Sequence, residues 1–121
     1  MEIRFLRLDE VVEIHRDQVN RYGGSHGVRD GGLLESAVAV PSATFDGQLL
    51  HADLFEMAAA YLHGIVANHP FIDGNKRAGA MTAFVFLTLN GRSLEAPEGK
   101  YEKLVLALAK GGQGRPKSQF S

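Results

Sequence analysis

The chain has 121 residues, enough for one domain with a real core and too few for two. Hydrophobic residues make up 45% and charged residues 22%, the balance of an ordinary soluble globular protein, and a formal net charge of -1 gives no basic field for nucleic acid. Cysteine is absent, which excludes disulfides, thiolate nucleophiles and Cys-bound zinc and fits a reducing cytoplasm. The first residues lack the basic and continuous apolar regions of a signal peptide. No apolar run approaches the ~20 residues of a membrane span. The expectation is a cytoplasmic protein with no membrane contact.

An apolar lead-in (Ile3, Phe5, Leu8) precedes a helix predicted over 9–22, with Asp9 as N-cap. Val12, His15, Val19 and Tyr22 would form its inner face, and Gly23-Gly24 would stop it. His15 on that face reads as a satisfied core or boundary histidine. Residues 23–32 contain five glycines and read as a loop. Asp30 or a following glycine then caps a helix over 31–40, with Leu33, Leu34, Ala37 and Val38 apolar and Pro41 as the stop. Segment 41–52 is polar, and Asp46-Gly47 between Phe45 and Leu49 marks a small hairpin in a flap-like loop.

Asp53 and Glu56 have capping-box spacing at the head of the clearest amphipathic pattern, Leu54, Met57, Ala58, Tyr61, Leu62 and Ile65. Pro70 ends that helix near Asn68. The next helix, 75–89, is apolar on most sides, which predicts a central, buried element closed by Asn90-Gly91. Pro97 starts a helix over 97–109, with Tyr101, Leu104, Val105 and Leu108 inward, and residues 111–121 lose all periodicity and read as a flexible tail. The fold class is therefore all-α: a compact helical bundle over 1–110 with a functional loop between two central helices.

That loop is His69-Pro70-Phe71-Ile72-Asp73-Gly74-Asn75-Lys76-Arg77. Taken singly its residues have ordinary readings, Asp73-Gly74 as turn chemistry and Lys76-Arg77 as a solvated first turn. Cations in a first helical turn, however, oppose the helix dipole, which makes them odd for structure alone. Residues 73–77 lie at a helix N-terminus, an anion site by virtue of its N–H groups and dipole. Gly74 admits a close ligand, Lys76 and Arg77 add charge, and the Arg77 fork suits a phosphate. Asp73 beside a phosphate implies an intervening divalent cation, Mg²⁺. His69, with an unperturbed pKa of ~6.5, suits proton abstraction from a hydroxyl. Phe71 would anchor the loop inward.

The motif resembles the Fic/Doc signature H-P-F-x-[D/E]-G-N-[G/K]-R, and Lys76 resembles the Doc (death-on-curing) branch, the toxin half of toxin–antitoxin pairs. Arg21-Tyr22-Gly23-Gly24, Arg29 to Ala37, Asp53 to Glu56 and Asn90-Gly91 also resemble Doc-type segments, so the likeness spans about 5–109. The resemblance implies a fold of the Fic/Doc type, with His69 as general base, Asp73 as the Mg²⁺ ligand, Gly74 and Asn75 shaping the anion-binding turn, and Arg77 gripping nucleotide phosphates. It further implies ATP as donor, transfer of its γ-phosphoryl group to a protein hydroxyl, a translation elongation factor as target, and a cognate antitoxin as partner. Most Fic proteins instead transfer AMP, the alternative activity. A long cation at Lys76 would occupy the anion site and turn the nucleotide round, and a Lys76→Gly variant tests this. The sequence departs from the Doc pattern in its Gly-rich, basic C-terminus. It contains no inhibitory [S/T]-x-x-x-E-[G/N] motif, so control would fall to the antitoxin. A catalytically silent antitoxin-binding module is the rival reading, disfavoured because a scaffold has no use for His69, Asp73, Asn75 and Arg77 together. The histidines lack the spacing of a zinc site, with His63 expected to flank the site or face solvent, and there is no P-loop.

Overall fold

The computed structural model describes residues 2–92, and the predicted helix over 97–109 and tail over 111–121 lie outside the described residues. Four helices account for most of the described chain: α1 (Leu8–Tyr22), α2 (Gly31–Ala39), α3 (Leu54–Asn68) and α4 (Asn75–Leu89). A single 3₁₀ turn (Val40–Ser42) follows α2, and a small antiparallel hairpin joins β1 (Thr44–Phe45) to β2 (Gln48–Leu49) in register Thr44↔Leu49. The all-α expectation holds. No helix among the described residues is long and apolar enough to cross a membrane.

Helices α3 and α4, joined by the short turn 69–74, form the central pair; α1 packs on α4, and α2 with its 3₁₀ extension packs on α3. Their common core contains Met57, Tyr61, Ile65, Ala78, Ala83 and Phe86, all essentially inaccessible to solvent. The two central helices approach closely at Gly79, where a Cβ would stand 3.2 Å from the Leu62 carbonyl and 3.1 Å from Val66 Cγ2. Tyr61 fills the space between Phe86 and the N-terminal segment, its ring tilted on Phe86 and its hydroxyl accepting the Leu6 N–H at 2.8 Å. Asn90, at the end of α4, clasps the backbone of Arg4 with both side-chain atoms, 2.9 Å to its N–H and 3.0 Å to its carbonyl. These bonds tie the lead-in to the far end of the central helix.

Local signals place most helix ends. Asp30 accepts the Leu33 N–H at 3.0 Å, and Asp53 accepts the Glu56 N–H at 2.8 Å, each an N-cap bond. Glu56 reaches back to Ala52 N rather than to the capping residue. Two expectations for α1 need correction. The helix begins one residue earlier, capped at Arg7, because Glu10 accepts the Arg7 N–H at 2.8 Å and so closes the first turn, while Asp9 pairs with the exposed Arg7 guanidinium. Its inner face is also rotated: Val11, His15, Gln18 and Val19 are buried, Val12 is half-buried and Tyr22 is 66% exposed. Tyr22 belongs to the functional end of the molecule.

Candidate active site

The site begins where α3 stops. Pro70 cannot continue the helix, and His69 ends it in the left-handed region (φ 48°, ψ 53°) while its N–H still bonds Ile65 O. Pro70 and Phe71 then turn inward; Phe71 is 1% exposed and lies flat against the His15 imidazole, centroids 3.9 Å apart and planes within 2°. The inward anchor expected at Phe71 is present. Asn75, the first residue of α4, reaches back across the turn: its Oδ1 accepts the Phe71 N–H at 2.9 Å and its Nδ2 donates to the Phe71 carbonyl at 3.0 Å. Both peptide groups of a buried residue are thereby satisfied by one buried amide, and the turn is closed. The same Nδ2 stands 3.5 Å from His69 Nδ1, at the outer limit of a hydrogen bond.

Gly74 precedes α4 with φ 74°, a conformation that costs a glycine little and other residues more. It turns the chain so that Asp73 is gripped from three directions. Asp73 Oδ1 accepts the Gly74 N–H at 2.8 Å, Oδ2 accepts the Ser25 N–H at 3.0 Å, and the backbone carbonyl accepts from His15 Nε2 at 2.7 Å. Burial pushes the His15 pKa below its ordinary value, partly countered by the Asp73 carbonyl, so His15 is held as a neutral donor. One turn into α4, Arg77 donates from Nη2 to the Gly23 carbonyl at 3.0 Å, with its guanidinium carbon 5.7 Å from the Tyr22 ring centroid. Lys76 is half-buried beside it.

The glycine-rich loop 23–30 forms the second wall. Ile72 N–H bonds Gly27 O, Val28 and Phe71 form an antiparallel bridge, and the N–H groups of Arg29 and Asp30 both donate to Pro70 O. At Gly24 a Cβ would lie 2.7 Å from Asp73 Oδ2 and 3.5 Å from Arg77 Nη2, so only a bare backbone fits between loop and carboxylate. The fold thus brings His69, Asp73, Gly74, Asn75, Lys76 and Arg77 onto one turn and the first turn of α4. Asn75 is spent on the turn itself. His63 is exposed on α3, and among the described residues no group of three or more histidines and acidic residues converges on a metal position.

Three residues near this turn were not picked out for it by the sequence: His15, Tyr22 and Arg29. They contact positions 58, 55 and 40 residues away, and the available signal was indirect, a polar or aromatic residue on or beside α1 and α2 with no local partner.

Residues 5–87 match the model of the Fic/DOC family. The chain is 45% identical over 75 residues to "Toxin Doc" of Mycolicibacterium smegmatis, covering 62% of this chain and 58% of that protein, and thus less than two thirds of the relative's length. It is 33% identical over 97 residues to "Protein kinase doc" of Escherichia phage P1, covering 79% of this chain and 76% of that one. With a family match over most of its length and relatives of the Doc type, the chain belongs to the Fic/DOC family.

Proposed function

We propose that the protein is a Doc-type toxin, a transferase that moves the γ-phosphoryl group of ATP onto a hydroxyl of a target protein, a translation elongation factor, and is neutralised by a cognate antitoxin. The observation that carries this reading is the joint placement of His69, Asp73 and Arg77 around one helix N-terminus. His69 takes the proton of the target hydroxyl. That oxygen forms the new bond to the γ-phosphorus, the bond to the bridging oxygen breaks, and ADP leaves with the electron pair. The N-terminal turn of α4 carries the positive end of the helix dipole, which with Lys76 and Arg77 suits it to hold the transferred charge. Gly74 lets phosphate oxygens approach the backbone, and Asn75 fixes the shape of the turn.

The residues present fit Mg²⁺. Each Asp73 oxygen accepts one backbone N–H and retains acceptor capacity, and the carboxylate is half-exposed at the helix N-terminus. One carboxylate completed by phosphate oxygens and water is a common way of holding this ion. When bound, Mg²⁺ neutralises phosphate charge, and Asp73 is the residue that would hold it.

The test uses purified protein, Mg²⁺ and a bacterial lysate, with ATP labelled at the α or the γ phosphate and a His69→Ala variant as blank. Transfer of γ label alone to a protein band, lowered on the order of 10²- to 10⁴-fold in His69→Ala, is the expected result. Transfer of α label makes the protein an AMP transferase. No difference between wild type and variant removes the catalytic reading and leaves an antitoxin-binding module.

A further inference from the structure

The left-handed backbone of His69 needs a cause outside the motif. A helix that ends in this conformation is ordinarily closed by the N–H of the left-handed residue and that of the residue after it; the first is in place, His69 N–H on Ile65 O. Here the residue after His69 is Pro70, which has no N–H to give. His69 is itself neither a glycine nor free of the pre-proline restriction, so its geometry is disfavoured twice. Such a conformation persists only where the surroundings over-determine it.

Arg29 holds the same helix end by a different set of bonds. Its Nη2 donates to Asn68 O at 2.9 Å, its Nε to His69 O at 2.7 Å, and its own backbone N–H to Pro70 O at 2.6 Å. One residue of the glycine-rich loop therefore takes three consecutive carbonyls across the end of α3. Two of these bonds are charge-assisted and leave side by side from one edge of a planar group, a fork that Lys cannot reproduce. The positive charge also sits at the negative end of the α3 dipole. Arg29 is anchored in turn by the Val28–Phe71 bridge and by Asp30, whose side chain caps α2 and whose N–H shares Pro70 O. The loop end, the helix end and the turn form one bonded unit with the His69 backbone at its centre.

We infer that Arg29 is a positioning residue: from the opposite wall of the site it fixes the left-handed backbone that aims the His69 imidazole. The inference rests on the proposal that His69 takes the hydroxyl proton, and it adds a determinant outside the nine-residue motif. Among the described residues the hydrogen bonds of Arg29 go to backbone carbonyls of this turn, so its loss should lower the maximal rate and leave nucleotide affinity alone.

The experiment compares the full-length wild type with Arg29→Ala and Arg29→Lys in the γ-label transfer assay at varied ATP. For Arg29→Ala the maximal rate is expected to fall on the order of ten- to a hundredfold, with half-saturating ATP unchanged within about twofold. Added ethylguanidinium should restore part of that rate in Arg29→Ala and none in Arg29→Lys, a rescue that a general loss of stability would not show. An unchanged maximal rate in Arg29→Ala, or a loss expressed wholly as higher half-saturating ATP, overturns the inference. Should Arg29→Ala fail to fold, Arg29→Lys, which keeps charge and stem but not the fork, carries the same two outcomes at smaller amplitude. If wild-type transfer proves independent of His69, the fault lies in the proposed function, and the His69 ring resonances in NMR then decide. Signals displaced in Arg29→Ala and returned by ethylguanidinium support the clamp, and unmoved signals sink it.

Discussion

Two Asp-Gly turns in this chain began from the same local signal and ended in different places. Asp46-Gly47 closes the β1–β2 hairpin with both residues at positive φ (53° and 77°), the requirement of a tight hairpin turn. Everything around it is exposed, including Phe45 at 69% and Leu50 at 59%, and the hairpin bonds to its own flank through Leu50 N and Ala43 O. Asp73-Gly74 also puts its glycine at positive φ, but His15 of α1 and Ser25 of the glycine-rich loop reach in to bind it, and α4 starts from it. The dipeptide makes a turn in both cases. What makes one of them a site is the number of separate elements that converge on its polar atoms.

The sharpest test is to make one change in both turns, beginning with Asp73→Asn. An amide there must present its NH₂ group to either the Gly74 or the Ser25 N–H, losing one acceptor as well as the charge. Removing the charge should cost several kcal/mol of transition-state stabilisation, on the order of a hundredfold or more in γ-label transfer. Because the NH₂ group can face the exposed Ser25 N–H, which water then satisfies, stability by urea unfolding should fall by no more than about 1 kcal/mol. A variant that transfers label at the wild-type rate would erase the distinction between the two aspartates.

Asn75→Ala tests whether the rigidity of the functional turn comes from one side chain. It strips partners from both peptide groups of Phe71, a residue 1% exposed, where water cannot replace them without opening the turn. Two orphaned buried groups predict a loss of roughly 2–5 kcal/mol in urea unfolding. Asn75→Asp keeps the acceptor for Phe71 N–H and should lose less. If the two variants were equally stable, the acceptor bond from Phe71 N–H would contribute nothing; if Asn75→Asp matched wild type, the donor bond to Phe71 O would contribute nothing.

The contrast between the turns also explains what could be read from sequence. The bounds 75–89 of the central helix, the Asp30 and Asp53 caps and the Asp46-Gly47 hairpin all rest on residues within a few positions of one another, and each was legible. The α1 cap misled because Asp9 and Glu10 both stand near the start, and only the fold of the lead-in, with Arg4 on Glu10, decides between them. The pairings that turn a loop into a site join residues 40 to 58 positions apart, His15 to Asp73, Ser25 to Asp73 and Arg29 to His69. Nothing in a hydrophobic period or a turn dipeptide encodes them. Tyr22 shows the same limit in reverse, since its place in a helical stripe suggested the core while the short glycine loop carries it to Arg77.

A smaller effect separates the turns by pH. His15 is 3% exposed and donates to Asp73 O, with His26, Arg77 and the Asp73 carboxylate as the charged or titratable groups that bear on it. Burial lowers its pKa in the folded state, so the unfolded chain binds more protons near and below the ordinary value of about 6.5. Its contribution to stability is therefore complete above that value and is lost as pH falls below it toward the folded pKa. Urea midpoints from pH 7 to 5 should fall more steeply for the wild type than for His15→Gln, which keeps an N–H donor that does not titrate. Parallel curves would show that His15 carries no proton-linked stability.

The smallest expected effect is the second half of the paired substitution, Asp46→Asn. Asn tolerates a left-handed φ at least as well as Asp, and the position is exposed, so the hairpin keeps its register and stability should move by no more than about 0.5 kcal/mol. The γ-label transfer rate should stay within about twofold of wild type, because no element of the proposed chemistry touches residue 46. A large loss of transfer with unchanged unfolding would mean that the hairpin meets the target or the nucleotide during turnover. The difference between the turns would then be one of timing, with the first assembled in the folded protein and the second completed only when substrate arrives.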